Sequence, residues 1–151
     1  QYFKISRNSM KALDFVAGSM KLYEKQMEPI CREYGLTAME LNILLFLANN
    51  PEYDTAKEIV ERSYLTKSHV SISIRSLEER HLLRKESRNG DHRTTHLVLQ
   101  PESNEIISRG QSAQSAYLEM LMAGLSETEI RNFQMYLDKI GENAIKGMKE
   151  A

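Results

Sequence analysis

Apolar residues recur along the first part of the chain at helical spacing: Met10, Leu13, Val16, Met20, Tyr23, Met27, Ile30 and Tyr34 fall three or four positions apart. That period predicts one long amphipathic helix, with Gly35 where a left-handed cap would end it. Pro29 inside it predicts a kink near the last turn. Thr37-Ala38-Met39-Glu40 has the form of a capping box and opens a second helix through the apolar run from Leu41 to Leu47, closed at Asn49-Asn50-Pro51. Thr55-Ala56-Lys57-Glu58 repeats the box and opens a short third helix ending at Ser63. After a tight connection at Tyr64-Leu65, a fourth helix is predicted from Thr66 to about Leu82. Alternation then takes over, with strands at about Leu83 to Ser87 and Thr94 to Leu99 around Asn89-Gly90, a strong hairpin signal. A fifth helix follows Gln100-Pro101, from about Ser103 to Ala123, with Gly124 closing it. Ser126-Glu127-Thr128-Glu129 caps a last helix, on which Ile130, Phe133, Leu137, Ile140 and Ala144 keep the 3-4-3-4 spacing of a helix packed along another helix.

The predicted architecture is mainly α with a small β-hairpin: a winged helix-turn-helix carrying N- and C-terminal dimerisation helices. The whole chain, 1–151, reads as a single domain. About 37–100 forms the winged helix-turn-helix, and about 9–35 with 103–149 forms a helical dimerisation region. The long terminal helices carry apolar faces that the compact middle does not need, and such faces must be covered. A second copy related by a two-fold axis is the simplest cover, which predicts a homodimer.

A helix-turn-helix with a wing places one helix in the DNA major groove. In the fourth helix Val70, Ile74 and Leu77 share one side and are expected to pack on Ile59 and Val60. The other side presents Lys67, Ser68, Ser71, Ile72 and Arg75. Small hydroxyls allow close approach to base edges, Arg75 can fork onto guanine or a phosphate, and Ile72 can touch thymine methyl groups. Thr66 is expected at the N-cap, near a phosphate favoured by the helix dipole. At the wing, Arg88 and Arg93 are expected to project from a narrow ribbon toward the minor groove, and Asp91 to hold the turn through local backbone or Arg93 contacts.

Charge supports this reading once its distribution is considered. The net charge is −1, yet Ser63 to His96 holds seven basic residues against four acidic ones and all four histidines. A basic patch on an otherwise acidic protein is the footprint of polyanion binding. The composition, 41% hydrophobic and 27% charged over 151 residues, is that of an ordinary globular protein. No apolar run approaches the roughly 18 residues of a membrane span, and no signal-peptide pattern opens the sequence. The single cysteine, Cys31, cannot form an internal disulfide, which points to a reducing cytoplasm. Catalysis finds no support: there is no glycine-rich phosphate loop, nucleophile elbow or carboxylate pair in a recognisable setting. His92 and His96 have helical metal-pair spacing, but on a strand they stand about 13 Å apart, too far to share an ion. No cofactor or metal is expected.

Three segments resemble the multiple-antibiotic-resistance regulator (MarR) family of bacterial winged-helix transcription factors: Leu36-Thr37-Ala38-Met39-Glu40-Leu41, Thr66 to Leu83, and Asp91-His92-Arg93. The resemblance covers nearly the whole chain. It implies that Arg93 reaches the minor groove and Asp91 orients it, and that a homodimer joined by its first and last helices binds a pseudo-palindromic operator on double-stranded DNA. It also implies a bacterial cytoplasmic regulator, a repressor, released by a small aromatic or lipophilic effector. Tyr23, Tyr34 and the methionines are candidates to line the effector pocket, whose residues the sequence leaves unknown. One departure is His81, where the family commonly has Gly; a non-Gly residue in a left-handed cap costs about 1 kcal/mol. Two rival readings fit the same residues. One is a winged-helix protein-interaction module without DNA affinity. The other is a regulator that senses oxidants through its cysteine, although Cys31 lies late in the first helix, where the dipole disfavours thiolate.

Overall fold

The computed structural model describes residues 8–63, 65–88 and 91–150, with 8–13, 91 and 92 described by their backbone alone. The predicted turn at Asn89-Gly90, the connection at Tyr64, and the side chains of Met10, Leu13, Asp91 and His92 therefore lie outside the described residues. Six helices and one hairpin follow in the predicted order: α1 (Asn8–Tyr34), α2 (Ala38–Asn49), α3 (Ala56–Ser63), α4 (Lys67–Glu79), β1 (Leu83–Arg88), β2 (Asp91–Leu99), α5 (Asn104–Met122) and α6 (Glu127–Glu150). Two compact units, 1–117 and 118–151, divide the chain.

In the first unit α2 is the centre. Leu41, Ile43, Leu44, Leu45 and Leu47 are all buried, so this helix is apolar nearly all round and its neighbours must enclose it. Met27 and Ile30 of α1, Ile59 of α3, Val70, Ile74 and Leu77 of α4, Leu83 and Leu97 of the hairpin, and Ile106 and Ile107 of α5 join the same core. The helix starts follow their sequence signals. Thr37 and Glu40 form a complete capping box, and Thr55 and Glu58 exchange the same pair of bonds. Gly35 ends α1 at φ +61°, and the Leu36 amide donates to the Cys31 carbonyl at 2.8 Å, which gives the helix a Schellman-type end. Pro29 lies within α1, which runs unbroken from Asn8 to Tyr34.

α4 ends three residues earlier than its apolar pattern implies. His81 takes φ +57° and the Leu82 amide donates to the Leu77 carbonyl at 2.9 Å. The left-handed turn expected at His81 thus breaks the helix after Glu79 and delivers Leu82 and Leu83 into the core. The strands are longer than predicted, and their ladder is irregular. Leu83 faces Leu99 and Glu86 faces His96, whereas Arg88 faces Asp91. Ser87 is thereby matched to residues 92–95, a bulge that carries Arg93. The loop before α3 adds an edge to the hairpin, with the Leu97 amide donating to the Asp54 carbonyl at 2.7 Å and Thr55 bridging His96.

In the second unit Ser126 and Glu129 exchange capping bonds at the start of α6, and Gly124 turns the chain at φ +84°. No residue of α6 is buried; Leu137 and Ile140 of the predicted seam stand exposed, Ile140 at 63%. Among the described residues no helix is long and apolar enough to cross a membrane.

Candidate nucleic-acid interface

α3 and α4 form the helix-turn-helix, and burial fixes which side of α4 faces out. Val70, Ile74 and Leu77 are inside, so Lys67, Ser68, Ser71, Ile72 and Arg75 stand exposed on the other side, with Ile72 at 61%. Thr66 is the N-cap residue, as predicted, in an extended conformation at ψ 139°, but its hydroxyl makes no capping bond. The first-turn amides of α4 therefore have no side-chain acceptor from Thr66, the polarity a phosphate oxygen would complement.

The seven basic residues of this region differ in what holds them. Lys67 and Arg75 have no hydrogen-bond or ion-pair partner among the described residues. Four others are engaged by the protein itself. Arg84 pairs with Glu86 at 2.8 Å, Lys85 with Glu78 at 2.7 Å, and Arg88 with both Asp54 and Glu86 at 2.7 and 2.9 Å. Arg80 donates to the main-chain carbonyls of Tyr34 and Gly35 at 2.6 and 3.0 Å. The seventh, Arg93, is exposed on the bulge of β2.

Arg88 corrects an expectation. It does not stand free of the ribbon; its guanidinium is paired with two carboxylates, Asp54 and Glu86. Asp54 is the residue the sequence did not reveal. Its side chain is 18% exposed, and its two oxygens take different partners, Oδ2 from Arg88 and Oδ1 from His96 Nδ1 at 2.6 Å. Burial pushes the Asp54 carboxyl up, but the hydrogen bonds from His96 and Arg88 outweigh it and hold the group below its ordinary value. Glu86 is likewise held low, chiefly by the Arg88 hydrogen bond, and Arg88 is held high by the same contact.

The root of α4 is tied to the end of α1 by a second cluster. Beside the Arg80 bonds, Ser76 of α4 lies next to the Glu40 carboxylate, which is 6% exposed. Desolvation works to raise the Glu40 carboxyl, and the bonds from Ser76 and Thr37 overcome it and leave it lowered. Nothing in the local sequence marks Arg80 as a cap for a distant helix.

A cavity of about 720 Å³ opens between α1 and α2, lined by Met20, Tyr23, Met27, Cys31, Asn42 and Tyr117 among others. Tyr23 packs edge-on against Tyr117 with ring centres 5.3 Å apart; its hydroxyl donates to Asn42 and accepts from Gln114. Tyr34 is not part of the lining: its hydroxyl donates to Glu105 at 2.9 Å. Burial pushes the half-buried Cys31 thiol up. His96 is committed to Asp54, and among the described residues no three His, Cys, Asp or Glu side chains converge to hold a metal ion.

A helix-turn-helix whose second helix presents unpaired cations and hydroxyls beside a two-stranded wing defines a winged-helix protein. Residues 34–94 match the model of the MarR family. Among solved structures, the chain is similar to a MarR-family transcriptional regulator from Listeria monocytogenes complexed with a 26mer DNA (TM-score 0.78, 17% identity, 87% of each chain covered). It is also similar to Staphylococcus aureus MarR in complex with salicylate and kanamycin (TM-score 0.74, 21% identity, 95% of this chain and 96% of that one), and to S. aureus MepR in complex with DNA (TM-score 0.69, 17% identity, 95% and 99%). No curated protein matches the chain. The resemblance seen in the sequence is thereby established, and the chain has the fold of the MarR-family transcriptional regulators.

Proposed function

We propose that this protein is a sequence-specific DNA-binding transcriptional regulator, a repressor in the bacterial cytoplasm rather than an enzyme. The observation that carries the reading is the exposed side of α4, where Lys67 and Arg75 have no partner among the described residues and flank Ser68, Ser71 and Ile72. Cations left unpaired beside small hydroxyls are what a base edge and its phosphates require. In this reading Thr66 and Lys67 meet backbone phosphates, and Ser68, Ser71, Ile72 and Arg75 read the major groove. Arg93, oriented by Asp91, enters the minor groove. Residues 37–100 form the reading head, and 9–35 with 103–149 join two copies into a homodimer on a pseudo-palindromic operator. The exposed apolar residues Val16 and Met20 of α1 and Leu137 and Ile140 of α6 supply faces for that second copy. The cavity beside Tyr23 has the size and lining for a small aromatic or lipophilic effector. The DNA complexes of the Listeria and MepR proteins and the salicylate complex of S. aureus MarR support the same assignments.

Selection of bound sequences from random duplexes tests this directly. A two-fold symmetric site with half-sites about one helical turn apart is expected. Arg75→Ala should then relax base preference by about 1–3 kcal/mol at one position per half-site. Arg93→Ala should weaken binding and flatten the slope of log K against log salt by about one unit per lost phosphate contact. Failure to enrich any sequence, with no duplex binding at low salt, would refute the reading.

A further inference from the structure

We infer that Asp54 is a positioning residue for DNA binding: with Glu86 it holds the Arg88 guanidinium against the side of the hairpin and so withholds one cation from the phosphate backbone. The inference rests on the DNA-binding reading above and concerns a residue outside its contact set.

Five side chains, His96, Asp54, Arg88, Glu86 and Arg84, form a continuous series of pairs. Arg88 donates Nη1 to Asp54 and Nε to Glu86. The remaining oxygen of Asp54 accepts from His96, and that of Glu86 accepts from Arg84. Each carboxylate thus has two donors, and the two carboxylates balance the two arginines in charge. Asp54 and Glu86 are mostly enclosed while Arg88 is about half exposed at 46%, so the cation lies at the surface and the anions that restrain it lie beneath. Arg88 stands at the end of β1 opposite Asp91, two residues before Arg93 in β2; a side chain released there is on the same hairpin tip as the arginine assigned to the minor groove. Turned onto a phosphate through Nη1 and Nε, Arg88 would give up both carboxylates.

Two features make the arrangement separable from the fold. The loop before α3 is fastened to β2 by main-chain atoms, through the Leu97 amide and the Thr55–His96 bridge, which a change of the Asp54 side chain leaves intact. Asparagine at 54 also retains an oxygen that can accept from His96 while losing the charge that holds Arg88. Removing the charge should therefore free the arginine and leave the wing in place. A residue that merely propped the wing would behave in the opposite way, because its loss would weaken binding.

The test measures binding of Asp54→Asn to duplex DNA of random sequence across 50–200 mM salt, beside wild type, Arg88→Ala and the double variant. Each phosphate contact adds about 0.9 to the slope of log K against log salt. The slope of Asp54→Asn should steepen by that amount per wing, and affinity at 50 mM salt should rise about 15-fold per added contact, taking the contact's electrostatic part to vanish near 1 M salt. Arg88→Ala alone should leave the wild-type slope unchanged, and the double variant should match Arg88→Ala. Glu86→Gln, which loosens the same arginine from its other side, should shift the slope in the same direction and serves if Asp54→Asn does not fold. A slope that is unchanged or shallower while Arg88 is present, or equal steepening without it, would overturn the inference while wild-type binding upheld the DNA-binding reading. Absence of duplex binding by wild type and all variants would instead remove that reading, and the inference with it.

Discussion

Replacing Glu40 by alanine removes several interactions at the point where α1, α2 and α4 meet. The carboxylate accepts from the Thr37 amide at 2.7 Å, closing the capping box, and lies beside the Ser76 hydroxyl of α4, which favours its charged form. Loss of the cap costs about 1 kcal/mol. An orphaned Ser76 hydroxyl at this half-buried position costs about 1–2 kcal/mol more, and the side-chain methylenes, in a residue only 6% exposed, contribute about 1 kcal/mol. Glu40→Ala should therefore destabilise the protein by about 3–4 kcal/mol, whereas Glu40→Gln, which can still complete a capping box, should cost about 1 kcal/mol. Urea unfolding at one fixed protomer concentration reads both. With m near 2 kcal/mol/M the alanine variant should shift the midpoint by about 1.5–2 M and leave m unchanged. The pH dependence has a defined sign. The folded carboxyl lies below its ordinary 4.5, so its stabilisation is full at neutral pH and is lost as pH falls from about 4.5 through the lower folded value. The difference between wild type and Glu40→Gln should shrink over that range. Glu40→Ala within 0.5 kcal/mol of wild type, or no less stable than Glu40→Gln, would refute this account.

Two glycines in helices should respond to alanine with opposite signs. A Cβ at Gly110 would come within 2.7 Å of Leu45 Cδ2 in the core, so Gly110→Ala should lower stability by about 1–2 kcal/mol despite its better helix propensity; Gly18 has nothing within 4 Å of its added Cβ, and Gly18→Ala should raise stability by about 0.5–1 kcal/mol, both read by thermal unfolding. Ile140→Asp would bury an unpaired carboxylate in the proposed dimer seam at a cost of about 3 kcal/mol or more; sedimentation should give a wild-type dimer and a variant that dissociates, and a wild type that is monomeric at micromolar concentration would contradict the assembly. Cys31→Ser should bind operator as wild type does, and mild peroxide should not release the protein from DNA, because burial holds the thiol protonated; peroxide release that disappears in Cys31→Ser would reverse that assignment.

Features governed by neighbours three or four residues away were legible in the sequence. Each capping box lies where Thr or Ser precedes Glu by three positions, and the inward side of α4 was marked by the spacing of Val70, Ile74 and Leu77. The end of α4 was less legible, because Leu82 prolongs the apolar period although its backbone has already left the helix through His81. What the sequence concealed are pairings across long separations. Asp54 and His96 are 42 residues apart, and the loop around Asp54 has no periodicity to advertise a partner. Charge counting along the chain finds Glu86 beside Arg88 but not Asp54, the second carboxylate that restrains it, which arrives from the edge beside β2. The same limit hid Arg80, whose partners are carbonyl oxygens and carry no residue code.

That last contact determines how the joint between α1 and the reading helix can fail. Arg80 grips main-chain oxygens at Tyr34 and Gly35, and every amino acid supplies such an oxygen, so replacing Tyr34 deletes neither acceptor. The joint recognises the shape of a helix ending, set by the left-handed turn at Gly35. Winding α1 one residue further, without the left-handed turn at Gly35, would swing both carbonyls toward the helix axis and away from the guanidinium, with no side chain altered. Substitution at Tyr34 would pass over this joint, whereas a substitution at Gly35 that disfavours positive φ would act on the attachment of α4 from outside α4 itself.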